Sequence, residues 1–261
     1  MGFGLNRLQP SFRERIWGTT TLSPWFPDPE RRTGEVWFSG GGNASLLAKL
    51  IFTSANLSVQ VHPPDEFARQ HENSCGKTEM WHVLEAQPGA VVAVGFRHRI
   101  TREQFEVALA ESRVEDLLQW VPAHAGDTFF IPAGTVHAIG AGLTLCEIQQ
   151  NSDVTYRLYD YGRPRELHLE KGLAVSQFTA YDGKVNLPLH CQYFSAGVLL
   201  ISESQMIDSG PGQERMWMVL EGAGQLNGRA YQKGELWLLD DDCPLVRIEP
   251  TEFTRLLVAS T

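Results

Sequence analysis

Residues 126–137 read GDTFFIPAGTVH. Gly126 turns the chain into a short β-type run, Pro132 and Gly134 shape the turn that leaves it, and His137 is thereby delivered to the mouth of the sheet that the run belongs to. Working outward, residues 46–150 hold a series of similar runs, LLAKLIF, LSVQVH, EMWHVLEA, AVVAVGF and LTLCEIQ. Turn residues separate them, as in a β-sandwich or barrel. One helix interrupts the series within residues 101–120, where Thr101 and Gln104 fit a capping box and apolar residues recur at helical spacing. It reads as a packing element.

Residues 1–45 are rich in Gly, Pro, Trp and Arg and predict an irregular segment with one or two short strands. The glycine run at 40–42 reads as a loop, because a phosphate cradle needs a following helix N-terminus or a nest. Residues 166–178 predict a connecting strand and helix, after which β-runs resume with AGVLLISE, ERMWMVLEGAGQLNG, ELWLLDDD and LVRIEP. EMWHVLEAQPG at 79–89 has a counterpart in RMWMVLEGAG at 215–224. The pattern predicts an all-β dominated chain: two jelly-roll-like barrels with a few helices, one over residues 1–178 and one over 179–261. The runs of the second half contain no His around these matches, so that barrel is expected to lack metal ligands.

The formal net charge is -9 and no dense Lys/Arg run offsets it, which argues against nucleic acid as a partner. Any anionic ligand must be held by a few placed cations. No apolar stretch approaches the ~18 residues of a membrane span, and the first residues lack the apolar core of a secretory signal. The expectation is a cytoplasmic protein without a membrane partner. Cys75, Cys146, Cys191 and Cys243 show no paired spacing and read as reduced, mostly buried thiols.

In residues 57–66, LSVQVHPPDE, alternation puts Ser58, Gln60 and His62 on one face and Leu57, Val59 and Val61 on the other. A lone strand of this kind would simply turn its polar face to solvent. The spacing G-x5-P-x-G-x2-H in residues 126–137, however, resembles the second signature of the cupin family. Cupin barrels usually take further metal ligands from an upstream motif, a place held here by Gln60 and His62, with Glu79 following in CGKTEMWH. The resemblance implies a metal site of Gln60, His62, Glu79 and His137. Such donors suit one Zn²⁺ per chain, with Fe or Mn also compatible. His82 joins that face only if its strand twists.

The strings LSVQVHPPDEFA, GKTEMWHVLEA, GDTFFIPAGTVHAIGAGLTLCEIQQNSDVTYRLYDYGR and PRELHLEKGL resemble the type I mannose-6-phosphate isomerase family, in its short bacterial form. The resemblance implies a zinc-dependent aldose–ketose isomerase acting on a small sugar phosphate, as monomer or homodimer. The family's zinc ligands fall on the same four residues, its motif lysine on Lys77 and its catalytic arginine on Arg157. Moving a carbonyl from C1 to C2 requires removal of a C–H proton beside a stabilised enediolate, so a cation such as Arg157 is needed at the developing oxyanion. The base is expected to be Lys77, with its pKa depressed by neighbouring cations, or Glu147. Ser58, Lys77 and Arg157 are the expected substrate-binding residues. Competing readings are an isomerase or epimerase of another, unphosphorylated sugar, a sugar-sensing cupin without turnover, and an Fe(II) dioxygenase.

Overall fold

The strand Leu46–Phe52 is buried at every position because it runs between two cores. Leu46, Ala48, Leu50 and Phe52 face one of them and Ile51 the other, as the two-residue period of a strand requires. The computed structural model describes residues 4–40, 44–208, 214–240 and 243–261. Gly41 and Gly42 of the glycine run lie outside the described residues.

Leu46–Phe52 is one strand of a seven-stranded sheet that faces a five-stranded sheet. Trp81, Val83 and Leu145 from the first interleave with Val92, Val94 and Ile139 from the second to fill the first barrel. The second barrel is built likewise from a six-stranded and a four-stranded sheet around Val219, Trp237, Val246 and Leu256. The fold is β-dominated, with two jelly-roll barrels and few helices, as the run pattern predicts.

The repeated Met-Trp pair shows how the barrels are joined. Trp81 and Trp217 each point into their own barrel, whereas Met80 and Met216 share one core formed where the two large sheets pack face to face. Leu50 and Ile148 meet Met218 and Leu257 in that same layer. The second barrel therefore backs the first.

Three helices are described: α1 (Asp65–Glu72), α2 (Arg102–Ala110) and α3 (Leu169–Val175). The capping box of Thr101 and Gln104 is present at α2. Phe105 of α2 and Leu173 of α3 cover the outer face of the five-stranded sheet, on Val59, Ala93 and Leu158. Helix α1 follows Pro63 and Pro64 with Asp65 and Glu66 in its first turn, a charge pattern that favours a helix start. The sequence reading assigns no element to it.

Other elements also differ from expectation. Residues 118–122 are a strand, because Leu118–Pro122 pairs with Val91–Phe96 instead of extending the helix. No strand forms at 166–168. The N-terminal segment is more regular than its composition suggests: Ser11–Thr19 and Thr33–Ser39 are full strands at the edge of the seven-stranded sheet. Leu5–Leu8 pairs with Leu236–Leu239 in the sheet of the second half, a long-range partnership that local composition does not encode. No helix among the described residues is long and apolar enough to cross a membrane.

His82 takes the position of Met218 in the repeat and lies 5% exposed, with Nδ1 2.9 Å from the Thr128 hydroxyl. Burial, and then the charge of Arg255, lower its pKa to about 4, with Asp127 opposing. Between pH 6.5 and 4 the unfolded chain thus takes up a proton that the folded chain refuses, so stability falls with pH across this window. His82→Gln is expected to flatten that loss. Urea unfolding of both proteins at pH 7 and pH 5 checks this, and equal losses would show that His82 titrates normally.

Candidate active site

Pairing brings the polar residues into register. His137, at the start of His137–Ile139, lies opposite Gln60 of Val59–Val61, and Arg157 of Tyr156–Tyr159 lies opposite Gln60 on its other side. On the facing sheet, Trp37, Lys49, Glu147 and Trp81 form one row across four strands, and Glu79 lies one inward position further along, opposite Gln149. The loop before His137 depends on Gly134, whose φ is +88° and whose missing Cβ would meet the Val175 carbonyl oxygen at 3.0 Å. A side chain there would displace the turn that delivers His137.

His62, Glu79 and His137 converge, with one potential ligand atom from each within 4.8 Å of the others. Glu79 Oε2 is 3.4 Å from His62 Nε2 and Oε1 is 3.6 Å from His137 Nε2. Each imidazole turns Nδ1 to a backbone carbonyl, Val154 at 2.9 Å and Thr135 at 2.8 Å. That contact places the proton on Nδ1 and leaves the Nε2 lone pair facing the centre, the usual orientation of a metal-binding histidine. Burial holds both rings neutral: His137 is lowered to about 4 and His62 falls well below its ordinary value, with Lys77 adding to the effect on each. Glu79 has no exposed surface, and neither of its oxygens accepts a well-directed hydrogen bond. Burial, reinforced by Glu147, raises its pKa despite the opposing pull of Lys77.

Lys77 Nζ is 2.8 Å from Glu79 Oε2 and 3.0 Å from His62 Nε2. Its ammonium sits against the three-residue cluster as an internal cation would. Burial alone would lower its pKa, but Glu79 and Glu147 outweigh burial and raise it. Glu147 receives the Lys49 ammonium at 2.9 Å and the Trp81 indole N–H at 3.0 Å. Burial opposes its ionisation, yet Lys49 and Lys77 keep its pKa below the usual carboxylate range.

Lys49 also donates to Gln149 and lies 4.6 Å from the centre of the Trp37 ring. The sequence reading missed it. Its signal is one lysine in the middle of the apolar run LLAKLIF, on the face that alternation assigns to the barrel interior.

A cavity of about 510 Å³ opens beside the cluster. Ser58, Gln60, Lys77, Glu147 and Arg157 all line it, so the expected substrate-binding residues share one space. Gln60 touches the cluster through Nε2, 3.3 Å from His137 Nε2, while its Oε1 accepts from the Ser58 hydroxyl at 3.3 Å. Half a turn of the amide exchanges the two atoms, and the oxygen would then face the histidine. Arg157 donates from Nη1 to the Glu166 carbonyl at 2.7 Å, and its buried Nε has no partner among the described residues. His82 lies on the opposite face of its strand, towards the second barrel.

Lys49→Met leaves Glu147 a buried carboxylate without its closest cation and is expected to cost roughly 3–5 kcal/mol. The double variant Lys49→Met/Glu147→Leu should recover part of that loss, because no buried charge is stranded. Denaturant unfolding at pH 7 measures both, and a cost under about 1 kcal/mol for the single variant would show that water reaches the pair.

No family model matches the chain. Mannose-6-phosphate isomerase ManA of Bacillus subtilis is 33% identical over 292 residues, covering 88% of this chain and 91% of that protein. A mannose-6-phosphate isomerase of Streptococcus mutans is 34% identical over 210 residues, covering 64% of this chain and 66% of the relative. Among solved structures, the mannose 6-phosphate isomerase from Bacillus subtilis superposes with a TM-score of 0.86 at 27% identity, over 97% of this chain and 98% of that one. A phosphomannose isomerase from Salmonella typhimurium has the same fold, with a TM-score of 0.80 at 15% identity over 98% of this chain and 99% of that one. With sequence likeness along most of its length and the same architecture throughout, this chain belongs to the mannose-6-phosphate isomerase family of enzymes.

Proposed function

We propose that the protein is a zinc-dependent aldose–ketose isomerase that interconverts mannose 6-phosphate and fructose 6-phosphate. The observation that carries this reading is the cluster of His62, Glu79 and His137 beside a cation-lined cavity, in a chain of this family. The residues present fit a metal: two neutral imidazoles present Nε2, and the carboxylate between them lacks directed hydrogen bonds. The Lys77 ammonium, 2.8 Å from Glu79 Oε2, supports a preference of the cluster for a cation. Gln60, with its amide reversed, would be the fourth protein donor, and two imidazoles with two oxygens are a set that Zn²⁺ accepts. Bound there, Zn²⁺ supplies Lewis acidity towards the sugar oxygens.

The chain's own groups divide the remaining work. Arg157 holds substrate through a guanidinium that has a buried N–H to spare. Of the two groups considered as base, Glu147 is held as a carboxylate and Lys77 as an ammonium. Glu147 begins as a carboxylate and can accept the C–H proton directly, whereas Lys77 becomes a base only where bound Zn²⁺ depresses its pKa and is otherwise a cation near the developing oxyanion. The Trp81 and Lys49 donors fix the Glu147 plane. Ser58 orients Gln60 and offers its hydroxyl to the cavity. The substrate on this reading is a free sugar phosphate.

Conversion of mannose 6-phosphate by purified protein is expected to stop with chelator and to return with Zn²⁺, whereas mannose itself should not be turned over. Absence of turnover by the zinc-loaded protein would favour a sugar-sensing role. His137→Ala is expected to lose bound zinc and activity together. Arg157→Ala should keep its fold and zinc content while kcat/KM drops by ~10²-fold or more, because its guanidinium holds the substrate in the cavity. An Arg157→Ala enzyme as active as its parent would remove Arg157 from the mechanism.

A further inference from the structure

The reading above requires a phosphate dianion to be held in a chain of net charge -9, so the fate of each cavity cation matters. Lys49 and Lys77 are committed at the deep end, to Glu147 at 2.9 Å and to Glu79 at 2.8 Å. Arg15 pairs with Glu35 at 2.7 Å on the wall formed by the edge strand. Arg157, on the strand Tyr156–Tyr159, and Arg165, in the segment that follows that strand, line the same cavity.

Arg165 is gripped side-on by Asp160, with Nε to Oδ2 and Nη2 to Oδ1 both at 2.6 Å. This grip fixes the guanidinium plane and leaves the Nη1 edge outside the pairing. Asp160 is only 3% exposed and also takes Arg163 at 2.6 Å, so one carboxylate serves two arginines with Arg157 close by. Arg163 turns away to donate to the Asn56 carbonyl at 2.9 Å. Burial and then the charge of Arg165 lower the pKa of Arg157, a sign of two like charges held near one another. An arriving dianion would relieve that repulsion and could accept from both planar donors.

We propose that Arg165, a residue without an assigned role, anchors the substrate phosphate together with Arg157 as a two-arginine clasp, and that Asp160 is its positioning residue. The clasp rests on the sugar-phosphate reading. It places the phosphate near the opening, where the Arg165 side chain is 24% exposed, and sends the carbonyl end towards the fully buried cluster. A 510 Å³ cavity is ample for one hexose phosphate.

The test is initial-rate kinetics with mannose 6-phosphate, with inorganic phosphate as competing inhibitor, on the zinc-loaded parent and on Arg165→Ala, Arg165→Lys and Asp160→Asn. Arg165→Ala is expected to raise KM and the inhibition constant of phosphate by ~10-fold or more, with a much smaller change in kcat, since the contact is equal in ground and transition states. Zinc content and far-UV circular dichroism should stay parental, while the melting temperature falls because the buried Asp160 keeps only Arg163. Arg165→Lys should recover part of the phosphate affinity, and Asp160→Asn should shift KM the same way without adding to Arg165→Ala. Unchanged KM and inhibition constant in Arg165→Ala would overturn the clasp, as would a loss of kcat alone. Calorimetric titration with inorganic phosphate separates this from a failure of the substrate reading. A parent that lacks turnover yet binds phosphate through Arg165 keeps the clasp and removes the substrate, and a parent that binds no phosphate removes the clasp.

Discussion

A carboxylate without exposed surface, Glu79, is the constraint around which the first barrel is arranged. Leaving such a group ionised in a protein interior costs several kcal/mol unless cations or hydrogen bonds compensate. The barrel supplies Lys77 directly, and supplies Lys49 and Glu147 as a second pair along the same sheet. Two buried carboxylates and two buried ammonium groups thus neutralise one another in the space where His62 and His137 turn their lone pairs inward. The same arrangement that makes Glu79 tolerable also keeps it available to a metal.

How much of this is legible in the sequence depends on whether a residue's meaning is local. His137 can be found because its loop is specified by nearby residues, Pro132 and Gly134, and His62 because it ends an alternating run at two prolines. Those signals lead to the buried cluster, with Glu79 added through family likeness. Helix α1 and the strand Leu118–Pro122 escape, the first because it spans barely two turns and the second because its partner, rather than its composition, decides its state. Lys49 escapes because a strand of mostly apolar residues reads as core, and only the pairing with Glu147 reveals why a charge is there. Arg165 escapes for a similar reason, since its setting is made by Asp160 and by a cavity wall that no linear pattern describes.

Likeness between the halves shows where the donor residues of the first barrel change in the second. The repeat places Arg215 where the first half has Glu79, Met216 for Met80 and Met218 for His82. Arg215 is 2% exposed and donates to the Asp240 carbonyl at 2.6 Å. A fixed guanidinium at the carboxylate position repels any metal cation. The second barrel keeps the pleat and the packing face while the donor chemistry is inverted.

The shared layer of methionines has a consequence for how the two halves can change over time. Because strand neighbours alternate, Glu79 faces the chemistry while Met80, one residue on, is embedded against Met216, Met218 and Leu257. Any remodelling of the second barrel on this face presses on the backbone that aims Glu79. The second barrel is therefore not free to vary on this face; it is the anvil against which the first is shaped, and the two faces must change together.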